Sequence, residues 1–150
     1  MMRGVFLLFA SAVAVQAQSP KPAADPAAVE CRDYASKLEI CAPYTCTFTH
    51  PMTGAILERK VVGPAGNACA TVEAMPGKHT MRCEFPADVR KSVAAFYRQM
   101  LAAETRGKTI GGKLAVDDRG KGTSTTAVDG KPVVNPLQQA LERGICKIAE

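Results

Sequence analysis

The chain contains no tryptophan, only two histidines and, past its N-terminal stretch, no apolar run long enough to cross a bilayer. Aromatic residues are scarce: beyond that stretch Tyr34, Tyr44, Phe48, Phe85, Phe96 and Tyr97 are the full complement. So few large side chains gain less than usual from apolar burial. There is no CxxC pair, which removes the zinc-ribbon and thioredoxin-type patterns. Gly111-Gly112-Lys113 lacks the GxxxxGK[ST] spacing of a phosphate loop. The cations Lys60, Lys78, Arg82, Arg90, Lys91, Arg98, Arg106, Lys108 and Lys113 are dispersed, with no stripe dense enough for nucleic acid. Internal repeats are absent as well.

What the chain does have is an export signal followed by six cysteines. Residues 1 to 17 combine Arg3, an apolar run from Gly4 to Val15 and small residues at Val15-Gln16-Ala17, the pattern of a cleavable secretory signal. Cleavage after Ala17 would leave 133 residues, and losing Arg3 would lower the net charge from +5 to +4. The first mature residue would be Gln18 rather than a cysteine, so lipid anchoring is not expected. Cys31, Cys41, Cys46, Cys69, Cys83 and Cys146 all follow the signal, and an even number in an exported chain predicts three disulfides. Thiols in an oxidising compartment pair before they ligate zinc. With only His50 and His79 to assist, no metal and no cofactor are expected.

Residues 18 to 24 (QSPKPAA) read as a flexible leader, and residues 25 to 150 as a single disulfide-rich α+β domain. Asp25-Pro26 caps a helix expected over 26 to 39, with Cys31, Tyr34 and Leu38 on one face. Ten helical residues rise about 15 Å, too far for Cys31 to reach Cys41, so its partner should come from the sheet or the C-terminus. Four short β-type runs follow, at 44 to 50, 55 to 62, 68 to 74 and 79 to 85, separated by Pro- and Gly-bearing turns. They predict a four-stranded antiparallel meander packed against helices. A last turn centred on Pro76 would set Cys69 opposite Cys83 as a cross-strand bridge, leaving three pairings open for Cys31, Cys41, Cys46 and Cys146. Pro86 to Ala103 reads as an amphipathic helix whose Phe96 and Tyr97 are core residues. Residues 105 to 124, rich in Gly, Lys, Thr and Asp, read as a mobile loop. A small hairpin on Asp129-Gly130, a short helix capped by Asn135-Pro136 and ended by Gly144, and a final strand around Cys146 complete the chain.

The residues offer little catalytic chemistry. Cys46 and His50 fall on one strand face, yet stand about 13 Å apart along it, too far for a thiol and its base. Glu58, Glu73 and Glu84 lie among basic neighbours and read as charged pairs on a solvated sheet face. No catalytic residue is assigned. The best candidate surface is the Cys41 to Thr53 region, with Pro43, Tyr44, Thr45, His50 and Met52 as partner-binding residues.

Within it CAPYTC, if closed by a Cys41–Cys46 bridge, resembles the Cys-x-Pro-x-x-Cys loop of the periplasmic inhibitors of vertebrate lysozyme, without the histidine those loops carry. That resemblance implies an inhibitor of an exported hydrolase, although a basic protein would repel basic lysozyme. Across most of the chain, CAPYTCTFTHPMTG, NAC, EAMPG, MRC, VRKSVAAFYR, VDGKPVVNPLQQAL and GIC resemble a group of small exported cysteine-rich bacterial proteins. This implies a periplasmic address and supplies no activity. The expectation is a non-enzymatic periplasmic or secreted accessory protein acting on an unknown protein partner, without nucleic acid or membrane span. An exported-hydrolase inhibitor and an enzyme of unknown class are the alternatives.

Overall fold

The computed structural model of the protein describes residues 30–50, 53–117 and 121–149. The segments expected to be a signal and a leader, and the predicted helix start at 26 to 29, lie outside them. Among the described residues, two antiparallel sheets and three α-helices make up an α+β fold. The larger sheet contains β1 (Tyr44–Thr49), β2 (Ile56–Ala65), β3 (Ala68–Ala74), β4 (Thr80–Phe85) and β8 (Cys146–Ala149), in the order β1-β2-β3-β4-β8. The smaller contains β5 (Ile110–Val116), β6 (Gly122–Val128) and β7 (Lys131–Val133).

The expected meander is therefore β1 to β4, but a fifth strand from the C-terminus pairs with β4. Four strands would leave β4 as an edge, and the run Cys146 to Ala149 alternates buried and exposed residues as a strand beside it must. The predicted loop over 105 to 124 is corrected for half its length, since residues 110–116 and 122–124 belong to the paired strands β5 and β6. Ile110, Leu114 and Val116 are the only large apolar residues in these stretches and the others are Gly, Lys, Ala, Thr and Ser, so apolar alternation announces the hairpin weakly, and backbone pairing joins the strands. Asp129 and Gly130, at φ 50° and 74°, form the primed turn from β6 to β7 that a two-residue hairpin needs.

The helices are α1 (Tyr34–Glu39), preceded by a 3₁₀ turn at Cys31–Asp33, α2 (Ala87–Thr105) and α3 (Pro136–Glu142). Alternation along the strands turns Cys46, Val61, Cys69, Thr71, Met81, Cys83, Phe85, Cys146 and Ile148 to one face of the larger sheet, where all are buried. Against that face α1 contributes Tyr34 and Leu38, and α2 contributes Val89, Val93 and Ala94. The α2 stripe is the one its 3.6-residue period predicts. Helix α3 rests on β6, α2 and β8. Its N-cap Asn135 accepts the N–H of Leu137 at 2.9 Å and donates to the hydroxyls of Ser124 and Thr126, each at 3.0 Å.

Of the three disulfides, Cys31–Cys46 and Cys41–Cys69 tie the segments flanking α1 to the larger sheet, and Cys83–Cys146 joins two of its strands. Cys31 finds its partner in the sheet, as helix geometry requires. The Cys69–Cys83 pairing is overturned. Its premise was a turn centred on Pro76, whereas the left-handed residues are Gly77 and Lys78, and Ala74 pairs with Thr80. Moving the pivot one residue shifts the register by two, so Cys69 faces Phe85, Cys83 faces Thr71, and both keep their predicted side of the sheet. Cys83 is opposed on its other flank by Cys146, with which it forms the cross-strand bridge at a Cα separation of 4.1 Å.

Candidate functional site

All six cysteine sulfurs are consumed in disulfides. Cys46 is bonded to Cys31, so the Cys46–His50 pair has no thiol to offer. Likewise Cys41 joins Cys69 and not Cys46, so CAPYTC is not closed on itself and the lysozyme-inhibitor-like loop does not form. The residues of the expected partner surface are separated. Pro43 lies against Gly63. Tyr44 is half-buried and donates from its hydroxyl to the carbonyl of Glu30 at 3.3 Å. Thr45 is exposed on the opposite side of β1. His50 stands beyond the end of the strand, where its Nδ1 accepts the N–H of Thr53 at 3.3 Å. Met52 lies outside the described residues.

On the helix-covered side of the sheet sits a buried polar cluster that the sequence reading missed. Arg59 of β2 forms two hydrogen bonds to Glu73 of β3, and both side chains are 12% exposed. The guanidinium lies 4.1 Å from the centre of the Phe48 ring, 4.3 Å from Tyr97 and 4.9 Å from Tyr34. Tyr97 donates its hydroxyl proton to Glu73 at 2.9 Å. Burial opposes the charge on Arg59 more than any one interaction supports it, but Glu73, Tyr97 and Tyr34 together outweigh burial and hold the guanidinium ionised. Burial pushes the Tyr34 and Tyr97 phenols above their ordinary value. Glu73 is thus no member of a solvated face. The parity it shares with Cys69 and Thr71 was the available signal. Charge and ring partners satisfy one another within the cluster, which makes it part of the scaffold.

The other side of the larger sheet carries the opposite parity. Thr45 faces Lys60, Lys60 faces Val72, Val72 faces Arg82, and Arg82 faces Lys147, one residue from each of five strands in a single row. Thr45, Arg82 and Lys147 are exposed, as are Glu58, Val62 and Glu84 on the same side. Among the described residues no helix covers this face; α1 and α2 pack against the other. Glu58 pairs with Lys60 at 2.7 Å. Arg82 and Lys147 take part in none of the ion pairs among the described residues. Sequence reading counted Arg82 among dispersed cations and did not connect it with Lys147, 65 positions further along. Only strand order makes them neighbours.

No cluster of three or more potential metal-ligating residues occurs among the described residues, and no helix there is long and apolar enough to cross a membrane. Comparison with protein families, with curated proteins and with solved structures returns no match.

Proposed function

We propose that the protein is a non-enzymatic binding module of the periplasm or extracellular space, of the small exported cysteine-rich bacterial type its sequence resembles. Its working surface is the uncovered face of the five-stranded sheet. The observation that carries this reading is the division of labour between the two faces. One uses its disulfides, apolar residues and the Arg59–Glu73 pair for the scaffold. The other presents Thr45, Val62, Arg82, Glu84 and Lys147 to solvent on a rigid support. Thr45 is the residue of the expected partner surface that this face retains.

Photo-crosslinking amino acids installed singly at Thr45 and Val72, and at Lys91 and Gln99 on the exposed side of α2, test the reading. After incubation with envelope material, adducts from Thr45 and Val72 but not from the α2 positions are expected. Any other distribution overturns it.

A further inference from the structure

We infer that Arg82 and Lys147 form an anion clamp for a linear acidic polysaccharide, an inference that rests on the open-face reading above. The two cations are directly opposed across β4 and β8 and both are exposed. Opposed like charges destabilise a ladder. A four-residue edge strand would ordinarily relieve such repulsion by fraying, but here the next pair along is the Cys83–Cys146 disulfide. The covalent bond holds β8 in register and keeps the cations side by side. Their backbone positions are thereby fixed before an anion arrives, so binding has only the two exposed side chains to order, at about 0.5–1.5 kcal/mol each.

The charges around the pair set what the anion can be. Glu84, two residues along β4 on the same side, is the nearest carboxylate in sequence, yet it forms no ion pair with either cation. Lys60 continues the row but is engaged by Glu58. From Lys60 to Lys147 the row crosses three strand spacings, about 14 Å in a line. One strand spacing is comparable to the length of a pyranose ring. A chain with a carboxylate on each sugar can therefore meet Arg82 and Lys147 with neighbouring groups, the planar guanidinium taking one carboxylate in a fork.

Other polyanions fit less well. Tyr34, Phe48 and Tyr97 surround Arg59 on the covered side, and Phe85 is buried there, so these rings are not available to stack nucleobases. The large apolar residues exposed on this side, Ile56 and Val62, sit six positions apart on β2 and make no continuous patch for insertion into lipid.

The test titrates the exported protein with polygalacturonate oligomers at low and moderate salt. Binding that weakens with salt is expected. Lys147→Glu should lower the affinity at least about tenfold, because it removes one cation and occupies the other. The same substitution should leave the thermal midpoint equal or higher, since an opposed like pair becomes an opposed ion pair. Lys91→Glu on α2 makes the same change in net charge and should alter the affinity by less than about twofold, given screening between distant exposed charges. Equal weakening by both variants overturns the clamp, as does binding to phosphatidylglycerol vesicles but not to polygalacturonate, or no binding to either. If any of these occurs while the Thr45 and Val72 crosslinks persist, the clamp fails and the open-face reading stands; loss of those crosslinks removes both.

Discussion

Arg59 and Glu73 stand opposite each other on β2 and β3, joined by two hydrogen bonds of 2.8 and 2.9 Å beneath the rings of Tyr34, Phe48 and Tyr97. An ion pair so placed stabilises mainly by leaving neither charge alone. Glu73→Gln should cost about 3–5 kcal/mol, because it strands a buried guanidinium. The double replacement Arg59→Met with Glu73→Leu should recover most of that loss. Urea denaturation of the three variants measures it, and a double variant as unstable as the single one would contradict the account.

Alkaline pH should weaken the fold through the same cluster. Burial raises the Tyr34 and Tyr97 phenols above 10.0, their value when unperturbed. The unfolded chain therefore sheds protons that the folded protein still holds. The stabilisation is fully present below about pH 10 and declines as pH rises beyond it. Tyr34→Phe should flatten part of that decline. Denaturation midpoints at about pH 9 and about pH 11 would show it.

The three disulfides should differ in worth. They span 15, 28 and 63 positions, and a longer loop constrains the unfolded chain more. Replacing Cys31 and Cys46 together by serine should cost about 3 kcal/mol, and replacing Cys83 and Cys146 about 4 kcal/mol. Loss of the second bridge should also expose the β4–β8 amides to hydrogen exchange before the rest of the sheet. Uniform exchange across the sheet would count against β8 being held by its disulfide.

Docking of the smaller sheet depends on two small features. A Cβ at Gly122 would meet the Ile148 Cδ1 at 2.7 Å, but that is the end of a side chain that can turn aside, so Gly122→Ala should cost no more than about 1 kcal/mol by overpacking. Asn135→Ala should cost about 2 kcal/mol by removing the α3 cap and the bonds to Ser124 and Thr126. Thermal unfolding of each variant tests these values. A loss above about 3 kcal/mol for Gly122→Ala would mean that Ile148 cannot turn aside there.

Where local pattern and tertiary context agree, the sequence was legible. The Val89, Val93 and Phe96 stripe, the Asp129-Gly130 turn and the Asn135 cap each depend on neighbours within a few positions, and each forms as its residues require. Parity along β4 was equally readable, because Met81, Cys83 and Phe85 alternate with polar residues. The 105 to 124 segment was not. Gly112 and Thr123 reveal no preference for a buried side, and their strands exist through each other's backbone.

By itself, then, the amino-acid order determined the α+β class, the three cross-links as a number, and which residues of each strand share a side, since these follow from side-chain period and cysteine count. It left pairing to the folded chain. Cys83 meets Cys146 rather than Cys69, and Arg82 meets Lys147, because a turn pivots at Gly77 and a C-terminal strand closes on β4. Contacts of that range depend on how whole strands are registered against one another, a quantity that no local window contains.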